Sequence, residues 1–131
     1  MMESGNSKSN GPESNQAPDT SVKSVLSIAV IGPDDNRRTA FLSVLASRQR
    51  DKITEFTSFP PDLGAVSRSV GERFNVVILD VDSDPDYVFE LVERINAIGA
   101  ATVMVYSAQA DVKQAVRFMR AGAREYFTLP I

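Results

Sequence analysis

The chain has 131 residues, a formal net charge of −3 from 14 Lys and Arg against 17 Asp and Glu, and neither cysteine nor histidine. That length holds one domain, and the two missing residue types exclude disulfides, thiolate chemistry and the commonest general base and transition-metal ligand, so any metal would be a hard cation on carboxylate oxygens. The acidic balance argues against nucleic acid as a partner, and no apolar run approaches the roughly 20 residues of a membrane span or forms the h-region of a secretory signal, so a cytoplasmic protein without direct membrane insertion is expected.

Residues 1–23 are Ser, Asn, Gly, Pro and scattered charge with little to bury, and are expected to be a disordered tail; residues 24–131 are expected to form the domain. "VLSIAVIG", ended by Gly32-Pro33, reads as a buried strand. "DDNRRTAFLSVLASR" follows as a helix capped by Asp34 or Asp35, with Phe41, Val44 and Leu45 on its inner face and Arg37 and Arg38 on a solvated face. "KITEFTSF" alternates like an edge strand. "PPDLGAVSRSVGER" suggests a short second helix with Leu63, Val66 and Val70 at helical spacing. "FNVVILDV" is a wholly apolar strand ending in Asp80. The third helix, "DPDYVFELVERINAIG", has Pro85 in its first turn, Val88, Leu91, Val92 and Ile95 on one face, and Gly99 as its stop. "ATVMVYS" is the next strand. The fourth helix, "ADVKQAVRFMRAG", places Val112, Ala115, Val116 and Met119 inward and leaves Phe118 off that stripe; "REYFTLP" is the last strand.

Strands alternating with helices imply an α/β fold, a doubly wound parallel sheet with helices on both faces. Ligand sites of such sheets lie beyond the carboxyl ends of the strands. That rule gathers Gly32 to Asp35, Asp80 to Asp84 and Ser107 around one crevice. Four acids, Asp80, Asp82, Asp84 and Asp86, crowd the end of the central strand. They suit either a cation site or the acidic start of a helix, where the macrodipole favours negative charge. A helix covering the last strand is expected but missing from this chain, which stops at Ile131; a longer protein or a partner would supply the cover.

"VVILDV", "VMVYSA" and "AGAREYFTLP" together resemble the receiver domain of two-component response regulators, over roughly residues 25 to 131. The resemblance implies a flavodoxin-like five-stranded sheet of order 2-1-3-4-5. It implies Asp80 as the phosphoacceptor position, Ser107 as the hydroxyl ending the fourth strand, and Tyr126 as the aromatic switch. The departures are equally specific. The acidic pair that holds magnesium in receivers is replaced by Gly32-Pro33, with Asp34 and Asp35 following two places later. Leu129 replaces the family lysine, and Pro85 comes one place late. If Mg²⁺ binds, its ligands would be Asp80, Asp34, Asp35 and Asp82, and weak binding is expected; no cofactor is required. Without that lysine and the acidic pair, the charge of a transferring phosphoryl group lacks its fixed partners.

The ending "RAGAREYFTLP" further resembles the degenerate receiver-like N-terminal domain of TadZ/CpaE-type pilus assembly proteins, where a ParA/MinD-like ATPase domain follows. What this implies is a protein-interaction or localisation domain rather than an enzyme, with the downstream ATPase domain or pilus machinery as partners. Self-association through the fourth helix and fifth strand is expected to involve Phe118, Tyr126 or Phe127. The alternative is a phospho-accepting receiver with Asp80 as nucleophile and Mg²⁺ beside it. A flavin carrier of the same topology is disfavoured, because Asp34 and Asp35 would repel a flavin phosphate.

Overall fold

The computed structural model describes residues 25–47, 51–66, 70 and 73–130; the expected tail, residues 1–23, lies outside them. Five strands, β1 (Ser27–Ile31), β2 (Lys52–Phe56), β3 (Val76–Asp80), β4 (Thr102–Ser107) and β5 (Glu125–Thr128), form one parallel sheet in the order β2-β1-β3-β4-β5. Among the described residues, three α-helices lie between them: α1 (Asp35–Val44), α2 (Pro85–Ile98) and α3 (Val112–Ala121). The predicted second helix is represented by the 3₁₀ turn Leu63–Ala65, capped by the Asp62 side chain, with Val66 and Val70 buried beyond it and part of the segment outside the described residues.

The central strands are buried on both faces, which is why they read as unbroken apolar runs. One face carries Ala29, Ile31, Val77, Leu79, Val103 and Val105 and packs on α2 and α3; the other carries Ile28, Val30, Val76 and Ile78 and packs under α1. All four inward residues predicted for α2 (Val88, Leu91, Val92, Ile95) are buried. Asp84 caps that helix, and Gly99 ends it with a left-handed φ of 79°, a conformation that costs glycine little. Asp34 is the cap of α1: its side chain accepts the Arg37 backbone N–H.

Two helices are turned differently from the prediction. In α1 the inner face is Phe41 and Arg38, while Val44 is exposed. Arg38 is not solvated. It donates to the Gly32 carbonyl at 2.6 Å and to Glu55 at 2.9 Å, and pairs with Asp35, tying α1 to β1 and the edge strand β2. In α3 the predicted inward stripe faces outward: Val112, Val116 and Met119 are 78%, 43% and 48% exposed. Phe118 is fully buried, edge-on to Phe89 of α2 at 5.8 Å. A single aromatic ring buries about 150–250 Å². Seating it under the helix outweighs burial of the three smaller side chains, and turns Lys113, Arg117 and Arg120 to solvent with them.

Candidate functional site

The carboxyl ends of β1 and β3 bring the site together. β3 ends at Asp80, whose side chain has no accessible surface. β1 ends at Ile31, and Gly32-Pro33 leads to the Asp34 cap, so Arg37 emerges one turn into α1 and reaches across to Asp80. Its Nε lies 3.2 Å from both Asp80 oxygens and its Nη2 lies 3.1 Å from Oδ2. The Asp82 backbone N–H donates to Asp80 Oδ1 at 3.0 Å and the Ser83 hydroxyl to Oδ2 at 2.8 Å. The same guanidinium lies 3.5 Å from Asp34 and 3.8 Å from Asp82.

Three of the four expected metal ligands therefore do converge, but around an arginine. Asp34, Asp80 and Asp82 surround the Arg37 guanidinium, while Asp35 turns outward to Arg38. A divalent ion does not fit this arrangement: its place among the carboxylates is held by a cation of the chain itself. Among the described residues, no group of three or more acidic, His or Cys side chains is placed to hold a metal ion. The bidentate fork suits a planar guanidinium, which stays charged at any ordinary pH. The Arg37 backbone N–H, against the opposing effect of desolvation, keeps the Asp34 carboxyl below its ordinary value.

Position 32, the first of the two where the resemblance expected an acid, has no room for a side chain. A Cβ on Gly32 would meet the Tyr106 hydroxyl at 2.5 Å and the Asp80 Cβ at 2.8 Å. The Tyr106 ring stacks on Phe41 at 4.9 Å, and Leu129 is buried in the same cluster. Tyr106, Phe41 and Leu129 thus belong to one apolar cluster on this face of the sheet, and the resemblance expected a lysine at position 129.

The Tyr106 hydroxyl is buried without a hydrogen-bond partner. Burial first, and the Asp80 charge second, raise its pKa above the ordinary value. The folded pKa thus lies above the unfolded one. Its contribution to stability is constant below about pH 10 and is lost as pH rises further. Tyr106→Phe should be neutral or stabilising by about 1 kcal/mol near neutral pH, with the gap from wild type widening above about pH 10. Denaturant melts at the two pH values check this, and a clear loss of stability at neutral pH would show that the hydroxyl has a partner.

The remaining candidates are spread around this centre. Ser107 is fully buried and donates to Asp82, not Asp80. The Tyr126 hydroxyl donates to the Gln109 carbonyl at 3.2 Å, and its ring is half-buried. Phe127 is half-buried against Phe41 at 5.3 Å. Phe118, expected on an exposed partner surface, is instead in the core. Sequence reasoning missed Arg37, Arg38 and Tyr106. The one available signal was a tyrosine in a strand with no exposed face to receive its hydroxyl.

No protein-family model and no curated protein matches the sequence. Solved structures do match. A response regulator of Thermotoga maritima superimposes with a TM-score of 0.64 at 19% identity, covering 82% of this chain and 87% of that one. A pilus assembly-related protein of Burkholderia pseudomallei gives 0.68 at 16% identity (82% and 80% covered). The pilus assembly protein CpaE of Burkholderia thailandensis gives 0.66 at 21% identity (82% and 88% covered). The flavodoxin-like sheet and these likenesses together make the chain a receiver-fold domain, of the architecture shared by response-regulator receivers and CpaE-type pilus assembly proteins.

Proposed function

We propose that this is a receiver-fold protein-interaction domain of a pilus assembly protein, working in the cytoplasm without phosphotransfer and without an enzymatic activity of its own. The observation that carries the reading is the Arg37 guanidinium bound to Asp80. A carboxylate attacks a phosphoryl donor with a free lone pair, beside cations that neutralise the transferring group. Here both Asp80 oxygens already accept hydrogen bonds, Arg37 is shared among three carboxylates, and Leu129 offers no charge. Asp80 then serves as the buried anchor of α1.

An interaction role is supported by the outward apolar stripe Val112, Val116 and Met119 on α3, whose first residue, Val112, lines a shallow pocket with Tyr126 and Thr128 of β5. Exposed apolar patches and strand edges of this kind are usually covered. Docking or self-association would use these residues, with Tyr126 and Phe127 at the margin and without Phe118. The pilus part of the reading comes from the names of the structural neighbours; a ParA/MinD-like ATPase domain as its partner is proposed from the sequence resemblance alone.

The test is exposure to acetyl phosphate and, separately, beryllofluoride, followed by intact mass and fluorine resonance. Wild type and Asp80→Asn should both remain unmodified. Stoichiometric modification that disappears in Asp80→Asn would favour the phospho-accepting alternative.

A further inference from the structure

Asp82 sits two residues beyond β3, in the loop to α2, yet its carboxylate is committed to the end of β4. One oxygen accepts the Ser107 hydroxyl at 2.5 Å and the other accepts the Ala108 backbone N–H at 2.8 Å. Ser107 Oγ in turn accepts the Gln109 backbone N–H at 2.9 Å. Because a carboxylate oxygen only accepts, the Ser107 hydrogen is directed at Asp82, and the Ser107 oxygen is left to accept from Gln109. The bonds run one way, from Gln109 N–H through the Ser107 hydroxyl to the carboxylate. Ser107 is fully buried, and the Asp82 side chain is 14% exposed, so little water competes.

Other roles for Asp82 are already filled. Asp84 caps α2, and Arg37 makes hydrogen bonds to Asp80 and only a looser ion pair, at 3.8 Å, to Asp82. The segment that Asp82 holds leads directly to the exposed surface. The Gln109 carbonyl accepts the Tyr126 hydroxyl, and Asp111 caps the first turn of α3 through the Gln114 N–H. Val112, at the start of the apolar stripe, follows at once.

We infer that Asp82 is a latch: a positioning residue whose carboxylate fixes the loop between β4 and α3, and through it the seating of Tyr126 and the first turn of α3. Charge-assisted hydrogen bonds of this kind are the strong ones, and the latch makes two to adjacent residues. It therefore holds the loop in one shape with no bound ligand. The inference stands on the loop's own bonds and does not depend on whether Asp80 accepts a phosphoryl group.

Amide exchange and Tyr126 ring resonances in the whole chain test it, for wild type, Asp82→Ala, Asp82→Asn and Ser107→Ala. In Asp82→Ala the Ala108 and Gln109 amides should exchange at least about tenfold faster. The Tyr126 ring signals should move, and the core amides of Val30 and Ile78 should keep their protection. Asp82→Asn should fall between, since a carboxamide oxygen retains one of the two acceptors. Should Asp82→Ala not fold, Ser107→Ala carries the same test, because it breaks the relay at its middle. Unchanged loop amides and Tyr126 signals would overturn the latch. So would loosening of the core amides by the same factor, which would make Asp82 a general structural residue.

Discussion

Replacing Arg37 by alanine should destabilise the domain by about 3 kcal/mol, near the lower end for breaking a buried ion pair because the Arg37 side chain is itself a quarter exposed. The Asp80 carboxylate would stay buried with only the Asp82 N–H and the Ser83 hydroxyl as donors. For a domain of this size the midpoint of thermal unfolding should fall by roughly 10–15 °C. Two further variants separate charge from packing. Asp80→Asn added to Arg37→Ala should recover much of the loss, since it removes the unpaired charge. Arg37→Lys should recover little, since a single ammonium cannot supply the fork that spans both oxygens. Removing the guanidinium would also leave Asp34, Asp80 and Asp82 facing one another. Millimolar Mg²⁺ should then raise the melting midpoint of Arg37→Ala and leave wild type unmoved. Equal response of the two proteins to Mg²⁺ would show that Arg37 does not stand in the cation's place.

The second large effect concerns Gly32. Restoring an acid there, as Gly32→Asp, should cost about 3 kcal/mol or more: overpacking alone costs about 1–3 kcal/mol, and a further carboxylate beside Asp80 adds repulsion. The new Cβ would collide with the Tyr106 hydroxyl and the Asp80 Cβ. Gly32→Ala isolates the steric part. If the phenol is the main obstacle, Tyr106→Leu and Gly32→Ala should couple. The double variant should be less destabilised than the sum of the singles by about 1 kcal/mol or more, even though Tyr106→Leu loses the stack on Phe41. Strict additivity in chemical denaturation would mean that Asp80, and not Tyr106, excludes a side chain at position 32.

Much of this molecule is determined by the sequence alone. The unbroken apolar runs before Gly32 and Asp80, the four inward residues of α2 and the stop at Gly99 follow from local periodicity and capping, the 2-1-3-4-5 order follows from the resemblance to receivers, and all are present in the structure. The crevice was legible too, because strand ends of a parallel sheet meet whatever their chemistry. So was the placement of Asp80, Asp82 and Ser107 around it. What only the tertiary structure decided is how long side chains reach and which helix face wins. Arg37 on a helical wheel points to solvent, yet its flexible stem spans the distance from α1 to β3, and no local rule says which carboxylate it finds. Arg38 is drawn inward by the Gly32 carbonyl and Glu55, partners respectively 6 and 17 residues away. The orientation of α3 was misjudged because periodicity counts apolar residues and does not weigh them: the Phe118 ring had a slot against Phe89, and Val112, Val116 and Met119 had none. The Tyr106–Gly32 contact is the same lesson at atomic scale, since two residues 74 positions apart in the chain exclude a side chain only once β1 and β4 flank β3.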